Sequence, residues 1–486
     1  MVKKVFFTIV ACLIVLFTKA QTDDEAFEIF MEQYSEYAQN SVDYLDLYEQ
    51  VLKYKKQKIN LNKVSYEELS TFALIGKTKA FQLKKYMNEY GKLLSLYELQ
   101  AIPSFSDDYI KTLLPYITIN SKSSEQLRKA LKEGKHEVMV LHQYGDISHL
   151  QPKNPTDSNR ILGDGNRMLM RYKYHDPGVY SIGFTAEKDA GELWPTSHRG
   201  LQAGFLSAHI FLKPKGKWIE TLAFGDYQVN FGQGLTFSSG LAFGKTAMVL
   251  NTFRAREGIR AYRSVNETQF LRGSAVALNL GKRTQVTLFG SKNGENVSVN
   301  NNGEAGSINN FGFVRTLRDL SRKNNQEVTI AGGNISRQVS VFKVGITVVK
   351  QWFSIPFAPN PRPYTIHRLN GNKLTNFGFD YKGSFKNILL YGEVSGNNLQ
   401  KSPAMIHGAL LALNKNWSAN ITYRNYPKDY HILYTAAWGE QTMPINEEAL
   451  YLGLKYEAYR KFTFSAFADV IRFPWLRFRD DAPGFQ

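Results

Sequence analysis

The sequence predicts an α+β chain by domain: a small all-α module, then a large antiparallel β-barrel. Three observations point there. First, charge divides the chain: residues 1–120 hold 14 basic and 15 acidic side chains, whereas residues 121–486 hold 46 and 28, a net of +18. Second, apolar residues recur at three- and four-residue steps before residue 120 and alternate with polar ones after it. Third, 27 Tyr, 32 Phe and 37 Gly suit strands and turns better than helices. Beyond the N-terminus no apolar run approaches the roughly 18 residues that a membrane-spanning helix needs.

The first element is an export signal over residues 1–20. Lys3 and Lys4 form the charged region, Val5 to Phe17 the apolar one, and Thr18-Lys19-Ala20 the small-residue cleavage site, so Gln21 begins the mature chain. An uncleaved anchor and a lipoprotein built on Cys12 are the alternatives. Cys12 is the sole cysteine, so no intramolecular disulfide or thiolate metal site is available.

Residues 21–58 read as an amphipathic helical lead. Phe27, Phe30, Tyr34 and Tyr37 share one face, and Leu45, Tyr48, Val51 and Leu52 continue on a second helix. Residues 59–120 read as two helical hairpins. Ser65 with Glu68 forms a capping-box pattern for helix 65–72. A second helix runs from about Lys77 to Tyr90, with Gly91 as its stop. A short helix starts at Leu96, and a final one spans 107–116. These residues, with the Ile59-Asn60-Leu61-Asn62 lead and Leu114-Pro115-Tyr116-Ile117 at the end, resemble a tandem helix-hairpin-helix domain.

The resemblance implies phosphate binding by backbone N–H groups at helix N-termini. Gly76, Lys77, Lys79, Lys84 and Lys85 are the candidate phosphate- or partner-binding residues. The pattern departs from the family elsewhere. Leu74, Ser104 and Ser106 stand where glycines are usual, and Asp107 and Asp108 put carboxylates beside the second hairpin. Nucleic-acid binding therefore ranks below a protein-docking or structural role.

Residues 121–135 form a linker, and 136–486 read as an outer-membrane β-barrel of about 16 or more strands, each near the ten residues that cross a bilayer. Trp417, Ala419, Ile421 and Tyr423 alternate with Ser418, Asn420, Thr422 and Arg424. Phe462, Phe464, Ala466, Ala468 and Val470 alternate with Thr463, Ser465, Phe467 and Asp469. Phe342 to Val348, Phe377 to Tyr381 and Met168 to Tyr174 repeat the pattern. Asp176-Pro177-Gly178, Lys213-Pro214-Lys215-Gly216 and Gly281-Lys282 supply turns. Longer loops fall near 149–166, 235–257, 293–310, 351–374 and 425–446. Phe231-Gly232-Gln233-Gly234 is expected to end a strand and fold into the lumen. Arg479 to Gly484 reads as a loop, so the barrel is expected to be incomplete at its C-terminal side.

With Tyr97-Glu98-Leu99-Gln100-Ala101-Ile102-Pro103, Phe224-Gly225-Asp226-Tyr227-Gln228 and Phe231-Gly232-Gln233-Gly234, the whole chain resembles the exported helix-hairpin-helix proteins of Bacteroidetes-type bacteria. The resemblance implies an outer-membrane location with a periplasmic helical module, and little about chemistry.

No Walker loop, dinucleotide fingerprint or His-Glu-x-x-His motif is present. No catalytic, cofactor or metal residues are assigned, and the chain is read as non-enzymatic. Arg167, Arg171, Lys173, Lys343 and Arg424 fall on the polar face of their strands and are candidate lumen-lining cations. Three functions follow: a membrane-anchored docking or assembly scaffold, an anion-favouring channel or transporter, and a DNA-binding component of uptake. The expected partners are outer-membrane lipids including lipopolysaccharide, then a periplasmic protein.

Overall fold

In the computed structural model, residues 54–55, 58–119 and 134–485 are described, apart from single turn residues and short stretches, chiefly 195–196, 199–200, 215–217, 241–244, 246–247, 255–256, 310–312, 400–401 and 459–461. The export signal, residues 21–53 of the lead and linker residues 121–133 lie outside the described residues.

The helical module begins with β1 (Ile59–Asn60), α1 (Tyr66–Thr71) and α2 (Gly76–Tyr90). A 3-10 turn (Leu96–Ala101), α3 (Asp107–Leu113) and β2 (Ile117–Thr118) complete it. β1 and β2 pair in parallel, so the module's two ends meet. The Asn-Leu-Asn lead has a structural purpose. Leu61 is buried, while Asn62 exchanges two 2.9 Å hydrogen bonds with the backbone of Leu93, tying the lead to the second hairpin.

Ser65 caps α1 by accepting from the Glu68 N–H at 3.1 Å. Glu68 does not return the bond among the described contacts; its carboxylate accepts from the Tyr54 hydroxyl instead. The full capping box is at Ser95 and Glu98, which the sequence reading overlooked. Gly91, at φ +92°, ends α2 as expected. The last helix stops at Leu113, short of Pro115, because Tyr116 already turns toward β2.

The second part is one sheet. Its strands are β3 (Lys135–Tyr144), β4 (Asn166–Asp176) and β5 (Tyr180–Lys188), then, past the separate small hairpin β6 (Ser197–His198) and β7 (Leu201–Gln202), β8 (Phe205–Leu212), β9 (Ile219–Asn230), β10 (Gly258–Ala261), β11 (Leu271–Asn279) and β12 (Thr284–Glu295). There follow β13 (Val297–Val299), β14 (Ala305–Ile308), a short helix α4 (Leu317–Arg322), β15 (Gln326–Val339), β16 (Phe342–Phe357), β17 (Gly371–Phe385) and β18 (Ile388–Asn397). β19 (Ala404–Ala412), β20 (Trp417–Tyr426), β21 (Glu447–Ala458), β22 (Phe462–Phe473) and β23 (Gly484–Phe485) complete it.

Nineteen of these form a single sheet that curves into a barrel, and all the long strands pair antiparallel with their neighbours. Short turns such as Ser340-Val341 and Lys386-Asn387 lie at the end where the helical module enters. Long loops lie at the other. Two loop expectations change. β16 runs on to Phe357, so the loop after it is residues 358–370. Residues 293–310 are not plain loop, since β12 extends through Glu295 and β13 and β14 make a hairpin.

The faces are inverted relative to a water-soluble sheet. Ile346, Val348, Phe377, Phe379, Ile421, Leu450 and Leu452 point outward and are exposed. Thr347, Gln351, Asn376, Asn420, Thr422 and Arg424 point inward and are buried. An apolar outside over a polar inside is the arrangement a hydrocarbon surrounding requires. Closing the sheet on itself removes edges that lipid could not hydrogen-bond. Among the described residues no helix is long and apolar enough to cross a membrane.

Candidate functional site

The inside of the barrel is filled by its own chain. Residues 231–257, between β9 and β10, turn inward, and Leu235, Thr236, Phe237 and Phe253 are fully buried. Residues 427–446, between β20 and β21, turn inward beside them, burying Tyr430, Tyr434 and Trp438. The two loops hold each other. Thr435 Oγ1 and the Ala436 N–H donate to the Gly234 carbonyl at 2.9 and 3.0 Å. Tyr430 Oη donates to the Leu235 carbonyl at 2.7 Å, and Arg254 Nε to Ala436 at 2.7 Å.

Phe231-Gly232-Gln233-Gly234 makes this possible. The turn wraps a wall carboxylate, Glu393, which accepts from the N–H groups of Gln233, Leu235 and Thr236 at 2.6, 3.0 and 2.6 Å. Gly232 and Gly234 have φ of +52° and +76°. A Cβ at Gly232 would lie 2.7 Å from the Glu393 oxygen, and one at Gly234 would lie 2.9 Å from the Ala436 side chain. Both positions therefore require glycine on conformation and on space.

The 231–257 loop then reaches the other mouth. Thr252 bonds Tyr391 at 2.5 Å, Asn420 donates to Thr252 at 2.8 Å, and Tyr451 donates to the Val249 carbonyl at 3.0 Å. Val249, Leu250 and Phe253 share one buried cluster with Leu389, Tyr391, Leu410 and Ala412 near the short turns, and with the core of the helical module.

The contact falls on the first hairpin, where the family resemblance implies phosphate binding. Gly76, at φ +67°, opens α2. Lys77 Nζ donates to Asn251 Oδ1 at 2.5 Å and to the Phe253 carbonyl. Tyr66 packs on the Phe253 ring at 6.2 Å. The remaining lysines have separate tasks. Lys79 lies 3.7 Å over the Tyr109 ring, and Lys84 donates to the Val64 carbonyl at 2.6 Å. Lys85 pairs with Glu89 at 3.9 Å. Of the candidate residues, Lys77 faces the barrel loop. Burial pushes the Tyr109 hydroxyl far above its ordinary range, and burial and then Glu68 do the same to Tyr54. Both stay neutral donors.

The five inward cations are not a bare lining either. Arg167 meets Asp189 at 2.9 Å and Glu187 at 3.3 Å. Arg171 contacts Thr185, and Lys173 pairs with Glu137 at 2.8 Å. Lys343 and Lys382 close on Glu257 at 2.8 and 2.7 Å. Burial alone would raise the Glu257 carboxyl, but these two ammonium groups hold it at about 2. Arg424 is buried between Glu447 and Asp469, with its guanidinium 4.7 Å over Trp438. The strand pattern gave the faces of these residues. Thr185 and Glu137 stand directly opposite Arg171 and Lys173 on the neighbouring strands. Glu257, which meets Lys343, comes from a loop, and Asp469, which meets Arg424, lies two strands away.

Ser181 and His209 meet at 2.9 Å across β5 and β8. Both are buried and inward-facing, and among the described contacts no carboxylate orients the imidazole. Among the described residues no cluster of His, Cys, Asp and Glu could hold a metal ion.

Residues 54–118 match the family model described as the helix-hairpin-helix motif. No curated protein matches the chain. Among solved structures, the chain is similar to Wzi of Escherichia coli, described as a carbohydrate-binding β-barrel involved in group 1 capsule assembly. The identity is 12%, covering 88% of this chain and 84% of that one, with a TM-score of 0.35. It is also similar to an anion-selective porin from Comamonas acidovorans, at 9% identity over 64% and 80% of the two chains and a TM-score of 0.31. The outer membrane channel DcaP of Acinetobacter baumannii gives 10%, 69% and 91%, and 0.31.

Proposed function

We propose that this chain is a non-enzymatic outer-membrane barrel acting as a membrane-anchored docking or assembly scaffold. Its helical module sits at the periplasmic mouth. The observation that carries the reading is the contact of Lys77 with Asn251 and Phe253, at the inner end of a loop that fills the lumen. A barrel filled by two interlocked loops and covered by a folded module is suited to holding a partner, not to passing solute. On the same reading the inward cations serve to fasten the loops, and the first hairpin is spent on an internal contact.

The face of the module away from that contact carries exposed apolar side chains, namely Tyr90, Leu94 and Tyr97, where a periplasmic protein partner would dock. Two measurements test the reading. Purified barrel in a planar bilayer should stay silent, and a photo-crosslinking residue at Tyr97 should give one adduct of defined mass while one at Lys77 gives none. Discrete anion-favouring openings would replace the scaffold with the channel. Absence of any Tyr97 adduct in the outer membrane would remove the docking role.

A further inference from the structure

We propose that one wall of the barrel carries, on its lipid-facing side, a site for an outer-leaflet lipid with two phosphates on one headgroup. Four outward cations of neighbouring strands converge there: Arg272 of β11, Lys292 of β12, Lys350 of β16 and Lys373 of β17. All four are exposed and stand toward the long-loop ends of their strands.

The strand registers bring them onto one row. Gly273 pairs with Ser291, which sets Arg272 opposite Lys292. Lys292 pairs with Thr329, Thr329 with Trp352, and Trp352 with Lys373. Lys350 returns to the same point, since its ammonium lies 5.2 Å from the centre of the Trp352 ring. The row therefore has two cationic ends. Lys292 and Trp352 are two strand spacings, about 10 Å, apart.

Like charges at facing positions repel. Two carboxylates offset part of that repulsion. Asp226 holds Arg272 at 2.7 Å, and Glu327 meets Lys292 at 3.0 Å. Among the described residues Lys350 and Lys373 have no carboxylate partner, so four cations against two carboxylates leave a net of +2. Positive charge on this face is costly in hydrocarbon. Lysine stems let it snorkel to the headgroup layer, where phosphates are the complementary charge.

The apolar surroundings select a lipid over a soluble anion. Leu288, Val348 and Phe377 lie on the same outward face, further from the long loops, and are exposed. Trp352 marks the boundary between that band and the headgroups. Beside Arg272 a groove of about 260 Å³ opens over β5, β8 and β9, lined by Phe184, Leu206, Ala208 and Gly225. It exists because β8 pairs with β9 only from His209 to Leu212, and the two strands part beyond that. Arg272 bridges the gap by donating to the Leu206 carbonyl at 2.9 Å, which fixes a cation on the groove's rim. Phosphates on the row and an acyl chain in the groove use both features. The corresponding outward positions of β18 to β20 hold Val394, Met405, Tyr423 and Asn425, so the site belongs to one wall.

The inference rests on the barrel reading, and heat-modifiable mobility of the parent tests that reading separately. A parent without it counts against the barrel, whatever lipid it holds. Full-length protein in detergent is titrated with lipid A, with monophosphoryl lipid A and with inorganic phosphate, and bound lipid is counted by native mass spectrometry. The parent should retain one lipid A and bind the monophosphoryl form more weakly. Lys292→Gln, Lys350→Gln and Lys373→Gln together should weaken lipid A binding by about 100-fold, at about fivefold per lysine. Arg283→Gln, Lys386→Gln and Arg472→Gln together remove three exposed cations elsewhere and should bind as the parent does.

Unchanged binding in the first triple variant would overturn the proposal. Equal loss in both triple variants would overturn it in favour of net charge alone. Equal affinity of the parent for the two lipids would overturn the two-phosphate assignment, and that comparison needs no variant to fold. Displacement of lipid A by inorganic phosphate at equal concentration would overturn the lipid in favour of a free anion.

Discussion

Lys77 of the helical module donates to the backbone carbonyl of Phe253, a residue of a loop that leaves the barrel wall at the opposite end. The bond closes a path from the 427–446 loop, through the Glu393 turn, to the helical module. It also explains a departure in the first hairpin. A phosphate would need the N-terminus of α2 open, whereas here a peptide carbonyl and an Asn side chain take the lysine.

Phe253→Ala removes a fully buried ring from the junction of two units. Comparable core truncations cost about 3–5 kcal/mol. The loss should fall on the junction, because both units have cores of their own. Limited proteolysis should release the helical module from the variant at protease levels that leave the parent chain whole, while the barrel keeps its heat-modifiable mobility. Loss of barrel and module together would mean that they fold as one unit.

DNA binding by the full chain should be weak. Lys77 is engaged, Lys79 and Lys84 are spent inside the module, and Lys85 pairs with Glu89. Residual affinity should lie in the non-specific range of about 10⁻⁴–10⁻⁶ M at physiological salt and fall steeply as salt rises. Fluorescence anisotropy at two salt concentrations checks this. Sub-micromolar binding at physiological salt, lost on Gly76→Val, would restore a DNA-uptake role.

The lipid face and the lumen face should respond to charge differently from what alternation alone suggests. Ile421→Arg puts a cation on the exposed apolar face and should cost about 2–4 kcal/mol near the midplane. From sequence, Thr422→Arg on the other face is the harmless control. The structure corrects this. Thr422 is fully buried and bonds Thr252, Tyr391 and Asn420, so an arginine there displaces the loop. Ile421→Arg should lose heat-modifiability in refolding assays. Thr422→Arg should keep it but expose the 231–257 loop to protease, and Thr463→Arg, exposed in β22, should change neither.

That correction shows where the sequence stopped being legible. Period-two alternation is a property of single strands, so faces and strand positions could be read directly. Helix caps at Ser65 and Gly91 are local and were equally readable. What fills a lumen is set by contacts between residues as far apart as Gln233 and Glu393, and no spacing encodes them. The only trace was Gly232 and Gly234 in a strand-rich region, which suggested an inward turn without naming the carboxylate it wraps. The Lys77 to Phe253 contact left no trace at all.

Acid should loosen the loop where Glu257 joins Lys343 and Lys382. Its folded value is depressed to about 2, so the group stabilises the fold at pH above its unfolded value of roughly 4.3. That contribution is lost as pH falls from there toward 2. Glu257→Gln removes the titrating group, so its unfolding midpoint should be lower at neutral pH and flatter between pH 5 and pH 2 than the parent's. Denaturant titrations across that window give the comparison, and parallel curves would mean that the two lysines do not act through this carboxylate.

The Glu393 turn should be the part of the plug most sensitive to a small change. Three N–H groups, from Gln233, Leu235 and Thr236, converge on one buried carboxylate. Glu393→Leu keeps the volume but leaves three buried donors unsatisfied, at about 1–3 kcal/mol each if water does not replace the acceptor. The barrel wall should survive, because Glu393 also pairs through its backbone with Tyr381's neighbour Asp380 and with Ile406 in the ladder. The loop should not survive in place. Gly232→Ala attacks the same turn from the other side, since its Cβ would meet the Glu393 oxygen at 2.7 Å in a backbone conformation that alanine resists. Both variants should stay heat-modifiable and show new conductance in planar bilayers as the 231–257 loop leaves the lumen. The double variant should conduct no more than either single one, because both break one contact. Silent bilayers with both variants, together with unchanged protease resistance of residues 231–257, would show that the plug is held elsewhere, and Arg254 to Ala436 would be the next contact to cut.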